Sequence, residues 1–101
     1  MTKSKTVVKN IKLGDIDIKI KNGKLLPLNK KVVILFADNS SYSKEQKEVL
    51  KRLHINYYTT NNKTLKKFFK ITIYPTIIII NKDKITRYEN FTPYEFLKEA
   101  F

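Results

Sequence analysis

The chain has 101 residues, a hydrophobic fraction of 42%, an aromatic fraction of 12% and a formal charge of +12. One domain with its own core is expected at that length and composition, and a disordered chain is not. The longest apolar run, residues 32–37, is strand-sized, far short of the ~18 residues of a membrane span.

Residues 1–5 are basic but no apolar stretch follows, so a signal peptide is not expected. That predicts a cytoplasmic protein as written, or an extracytoplasmic or periplasmic one if a leader has been removed. The positive charge is spread over scattered lysines with only two arginines, Arg52 and Arg87. Sequence-specific phosphate and base recognition favours arginine forks. A solvated basic surface is therefore the preferred reading, and nucleic acid is disfavoured as a partner.

Residues 7–13 form an extended segment of ambiguous type. Ile16, Ile18 and Ile20 then alternate with polar residues, which predicts a half-buried strand. Asn22-Gly23 is a strong hairpin signal, and residues 24–28 can return as the second strand, with Pro27 holding it to an edge. The unbroken run Val32-Val33-Ile34-Leu35-Phe36 predicts a strand buried on both faces. Beyond a polar loop, Tyr42, Gln46, Val49, Leu50 and Leu53 fall on one helical stripe. Ser43 with Gln46 fits a capping box, so the helix starts there or a few residues earlier.

Residues 55–60 predict a second short strand. Asn61 or Asn62 caps a small helix with Leu65, Phe68 and Phe69 on one face. Pro75 opens a buried strand ending at a polar turn over residues 81–84. Ile85, Arg87 and Glu89 alternate with Thr86 and Tyr88 on the return strand. Thr92, Pro93 and Glu95 give a helix start, with Phe96, Leu97, Ala100 and Phe101 as its buried stripe. This order predicts a mixed central sheet covered by helices, with the first strand–helix–strand unit closing a parallel pair.

Element order and motifs together resemble the thioredoxin-fold superfamily. The strand Val32–Phe36 leads through Ala37, Asp38 and Asn39 into Ser40-Ser41-Tyr42-Ser43, where that family carries Cys-x-x-Cys at a helix N-terminus. Ile73-Tyr74-Pro75-Thr76 is similar to its cis-proline loop, and residues 77–91 to its terminal hairpin. The match covers about residues 30–101. The front hairpin is similar to that of TlpA-like members, without the insertion those usually carry after the first helix. Tyr42 within the motif is similar to the Pro-Tyr of glutaredoxin-like and Dsb-like members. Ile34 stands where thioredoxin has a buried acid.

The resemblance implies an α/β, three-layer thioredoxin-like fold with an N-terminal β-hairpin. It implies one domain: residues 1–29 as extension and hairpin, residues 30–101 as core. It further implies that Ser40 marks the attacking position and Ser43 the resolving one. Ser41, Tyr42, Tyr74, Pro75 and Thr76 would bind substrate, and no cofactor or metal would be needed. The family's chemistry requires a thiolate, and the chain has no cysteine. Serine needs an adjacent base to attack anything. The single histidine, His54, lies fourteen positions after Ser40, about 20 Å along a helix, so a Ser–His hydrolase is excluded at this site. Asp38 without histidine makes no triad.

Three functions follow as expectations. The first is a thiol–disulfide oxidoreductase acting on protein dithiols or disulfides, present here as a redox-inactive Cys-to-Ser form. The second is a naturally redox-inactive thioredoxin-like module that binds a peptide or protein. The third is a basic nucleic-acid-binding domain with Tyr57-Tyr58 and Phe68-Phe69 as stacking surfaces. Core packing accounts better for those rings. A monomer is expected.

Overall fold

A computed structural model describes residues 8–101. The basic start at residues 1–5 lies outside the described residues.

The front of the chain is a three-stranded antiparallel sheet, β1 (Val8–Leu13), β2 (Ile16–Lys21) and β3 (Lys24–Leu25), in the order β1-β2-β3. The ambiguous early segment is thus a strand, fixed by pairing with β2 from Val8↔Lys21 to Leu13↔Ile16. Asn22 (φ 51) and Gly23 (φ 77) form the two-residue loop between Lys21 and Lys24. Positive φ at both central residues is what a type I′ hairpin turn requires. The return strand is shorter than expected and ends before Pro27.

The second sheet has four strands in the order β5-β4-β6-β7: β4 (Val32–Phe36), β5 (Tyr58–Thr59), β6 (Thr76–Asn81) and β7 (Lys84–Glu89). β4 runs parallel to β5 and antiparallel to β6, and β6 pairs antiparallel with β7. Alternation along the two central strands separates two cores. Val32, Ile34, Phe36, Ile78 and Ile80 join Ile11, Leu13, Ile18 and Ile20 of the front sheet and Leu65 and Phe69. Val33, Leu35, Ile77 and Ile79 join Leu50 and Leu97 on the opposite face. Both faces of β4 and β6 are therefore covered, which is why their sequences show no polar alternation. Burying one such side chain stabilises the fold by about 1.5–3 kcal/mol.

Three helices complete the layers: α1 (Ser41–Arg52), α2 (Lys63–Phe68) and α3 (Tyr94–Leu97), with a 3-10 turn at Lys98–Ala100. α1 and α3 supply Leu50 and Leu97 to one face. The other face is shared between α2 and the front sheet rather than flanked by helices alone. Asn62 caps α2, its Oδ1 accepting from Leu65 N at 3.0 Å. α1 and α2 end alike. His54 N–H donates to Lys51 O and Ile55 N–H to Leu50 O; Lys70 N–H donates to Lys67 O and Ile71 N–H to Lys66 O. His54 (φ 58) and Lys70 (φ 53) take the left-handed position of these Schellman motifs.

Four local expectations are corrected. The inward face of α1 is Ser43, Gln46 and Leu50, while Tyr42 is 61% exposed. Of the expected stripe, Gln46 and Leu50 are buried and Val49 and Leu53 pack against the core; only Tyr42 is displaced, its inward place taken by the polar Ser43. Ser43 and Gln46 do not form a capping box: the N-cap is Ser40, and the Gln46 amide pairs with the backbone of Thr92. Its Nε2 donates to Thr92 O at 3.1 Å and its Oε1 accepts from Thr92 N at 2.7 Å. Thr92, expected to cap α3, is instead held by Gln46, and α3 has no side-chain cap. Of the stripe expected there, Leu97 is buried, Ala100 is half-buried, and Phe96 (70%) and Phe101 are exposed. Phe96, one residue before the buried Leu97, lies about 100° around the helix from it, and the 3-10 turn after Leu97 changes the angular step so that Phe101 leaves the stripe.

Candidate functional site

β4 and β6 are paired so that Phe36 lies opposite Thr76. The loop leaving β4 and the loop entering β6 therefore emerge at the same end of the central sheet. Ser40, Ser41, Tyr42 and Ser43 follow the first loop, and Ile73, Tyr74 and Pro75 form the end of the second. The topology brings the two predicted groups of site residues to one edge.

The first group is organised by Asp38. Its Oδ1 accepts from the Ser40 backbone N–H at 3.0 Å, an Asx-turn. The same oxygen accepts from Ser40 Oγ at 2.6 Å and from Ser43 Oγ at 2.7 Å. Ser40 has extended backbone (φ −72, ψ 161), and its Oγ accepts from Ser43 N–H at 3.2 Å, the N-cap bond of α1. Ser43 Oγ accepts in turn from Asp38 N–H at 3.1 Å. A hydroxyl carries one proton. The short distances direct both protons to Asp38, so the 3.3 Å between the two serine oxygens holds none. Ser43 is buried, Ser40 half-buried, and Ser41, Tyr42 and Asp38 are exposed.

These bonds hold the Asp38 carboxyl at a pKa of about 2, through the Ser40 hydroxyl first and then the Ser43 hydroxyl. A carboxylate that acidic is a poor general base. His54 sits beyond the C-cap of α1, Leu53, at the far end of the helix. The serines are therefore hydrogen-bonded side chains and not activated nucleophiles. Among the described residues no group of three His, Asp or Glu side chains could hold a metal ion.

The second group is part apolar and part polar. The Tyr74–Pro75 peptide bond is cis. Pro75 and Thr76 are buried, Tyr74 is half-buried and Ile73 is 40% exposed. Thr76 Oγ1 donates to Ile73 O at 2.6 Å, which fixes the loop to the first residue of β6. Lys66 Nζ of α2 lies 5.2 Å from the centre of the Tyr74 ring, within cation–π range. A small polar cavity of about 260 Å³ opens beside the first group, between Asp38, Asn39, Lys47 and Thr60.

Sequence reading passed over Asp38 as anything but a failed triad member. The available signal was an aspartate two residues before a serine at a helix start. It also passed over Arg87, whose guanidinium donates to Phe69 O and, at 2.9 Å, to Lys70 O. That clamp ties β7 to the end of α2, next to the loop that carries Tyr74.

No protein-family model matches the chain, and no curated protein does. Solved structures do. Thioredoxin-2, described as a component of malaria parasite protein secretion machinery, aligns over 75% of this chain and 84% of its own, with a TM-score of 0.64 and 20% identity. A malarial protein aligns over 68% and 90%, with a TM-score of 0.60 and 21% identity. Chloroplastic thioredoxin z aligns over 71% and 75%, with a TM-score of 0.52 and 21% identity. At these identities the likeness speaks for architecture, and it agrees with the strand order, the α1 start after β4 and the loop before β6: the chain has the thioredoxin fold.

Proposed function

We propose that this domain binds an extended segment of a partner protein at the edge formed by the α1 tip and the loop before β6, without dithiol–disulfide exchange. The observation that carries this reading is the Asp38 carboxylate, within 2.7 Å of both serine hydroxyls. A helix N-terminus favours a thiolate through a partial charge of about +0.5. A full negative charge at hydrogen-bond distance opposes it more strongly. The constellation suits hydroxyls and would raise the pKa of a thiol. The exposed side chains of Tyr42 and Ile73 offer apolar contact to a segment laid across this end of the sheet, and the Ile73–Tyr74 backbone stands before the start of β6, outside its ladder, where an extended segment can add. The likeness to a thioredoxin described as part of a secretion machinery is in keeping with a protein partner.

The test is an amide-shift titration with short extended peptides. Shifts should concentrate at residues 40–43 and 73–76, and Tyr42→Ala and Ile73→Ala should each weaken binding. Shifts confined to other surfaces would refute the reading.

A second reading keeps the oxidoreductase: serines replace cysteines at positions 40 and 43. Ser40 at the N-cap of α1 and Ser43 three residues on have the spacing of the family's thiols at a helix N-terminus, which supports it. Insulin-disulfide turnover by the double variant Ser40→Cys/Ser43→Cys separates the two. Turnover well above background favours the second reading.

A further inference from the structure

A groove of about 400 Å³ lies between the front sheet and α2, on a different part of the molecule from the α1 tip. Its walls come from two elements distant in sequence. Lys9 stands on β1 at the inward parity shared with Ile11 and Leu13 and opposite Ile20 in the register. Because Lys9 lies near the open end of the strand pair, it is exposed where the others are buried. Across the groove, Lys63 and Lys67 are one helical turn apart on α2, a spacing that puts both ammonium groups on one face. Ile20 and Phe68 supply the apolar lining, and among the described residues no carboxylate lines the groove. α2 has no acidic residue along its six positions. The side-chain ammonium groups of Lys9, Lys63 and Lys67 form no ion pair or hydrogen bond with any described residue. Elsewhere lysines do find partners: Lys30 lies near Asp15 and Lys98 pairs with Glu95.

Three like charges around an apolar lining are mutually repulsive unless an anion joins them. The free charges are ammoniums and not guanidinium forks, which favours point-charge contacts over bidentate reading of bases. Phe68 is half-buried and packs edge-on against Phe69, with centroids 4.9 Å apart at 82°. That ring is a poor platform for stacking a base but a good contact for an aliphatic or aromatic side chain.

We infer that this groove is a docking site for an acidic segment of a partner protein, its carboxylates held by Lys9, Lys63 and Lys67 and an apolar side chain seated on Ile20 and Phe68. The site is independent of the edge at Ser40 and Tyr74.

The experiment uses the full chain and a fluorescent peptide in which glutamates alternate with leucines, read by anisotropy at physiological ionic strength. A single-stranded DNA of similar length and charge is run beside it. Lys63→Glu/Lys67→Glu should weaken peptide binding by at least about tenfold, the scale of one lost charge-assisted contact. The matched double variant Lys12→Glu/Lys84→Glu, with the same change in net charge on exposed strand positions, should change it by less than about threefold. Lys9→Glu, on the opposite wall, repeats the test should the α2 variant lose its helical circular dichroism. Equal weakening by the groove and control variants would reduce the effect to net charge and overturn the proposal. Absence of peptide binding by the unaltered chain would do the same. Tighter binding of the DNA, lost in the groove variants, would overturn it in favour of a nucleic acid.

Discussion

Replacing Gln46 by leucine removes the α1 side chain that satisfies the buried Thr92 backbone. Gln46 is fully buried and its amide closes a two-bond ring with that residue, at 2.7 and 3.1 Å. Leucine matches the volume closely, so cavity effects are small. What remains is one N–H and one C=O deprived of partners in the interior. Each costs about 1–3 kcal/mol, so the loss is about 2–6 kcal/mol with both unpaired and still about 1–3 kcal/mol if one of them reaches water. Against a typical domain stability of about 5–15 kcal/mol the loss is easily measured by urea unfolding, as a lower midpoint at unchanged slope. Gln46→Glu sharpens the test. An ionised carboxylate accepts from Thr92 N–H but repels Thr92 O, whereas a protonated one donates to it. The folded-state pKa of that glutamate is therefore raised, and the variant should recover stability as pH falls below it. A leucine variant within about 0.5 kcal/mol of the parent would refute this account of how α1 is tied to the start of α3.

Asp38 carries a pH prediction with a definite sign. Its folded pKa of about 2 lies below the ordinary value of about 3.9, so the unfolded chain binds the proton more readily. Its stabilisation is present above pH ~4 and is lost as pH falls toward 2; Asp38→Asn should flatten that part of the profile. Asp15 is also depressed, chiefly by the Tyr58 hydroxyl, so the profile is flattened and not abolished. At Gly14 (φ +61) an added Cβ would lie 2.7 Å from Tyr58 Cε1. Gly14→Ala should destabilise by about 1–3 kcal/mol in thermal melts. His54→Gly relieves a left-handed residue at the end of α1 (φ 58) and should stabilise by about 1 kcal/mol, seen as a higher melting temperature.

The elements that were legible in the sequence are those whose cause is local. The apolar runs of β4 and β6, the Asn22-Gly23 turn and the Asn62 cap each depend on neighbours within a few residues. The parallel pairing of β4 with β5 follows from the strand–helix–strand order. What was not legible depends on distant partners. Gln46 reads as a stripe or capping residue without a partner until Thr92, forty-six positions on, is known to face it. Tyr42 looks like a member of an inward stripe because Ser43, the true inward residue, is polar. Asp38 joins the site only when the loop folds back so that one oxygen meets both hydroxyls. The family resemblance pointed to Ser40 and Ser43, whereas the carboxylate bonded to both hydroxyls lies in the loop before them.

The most direct measurement is the thiol pKa of the single variant Ser40→Cys, followed by the rate of alkylation against pH. With Asp38 beside it, the thiol should titrate above the ~8.5 of a free cysteine, and Asp38→Ala should bring it down. A pKa well below 8.5 with Asp38 in place would contradict a site built for hydroxyls.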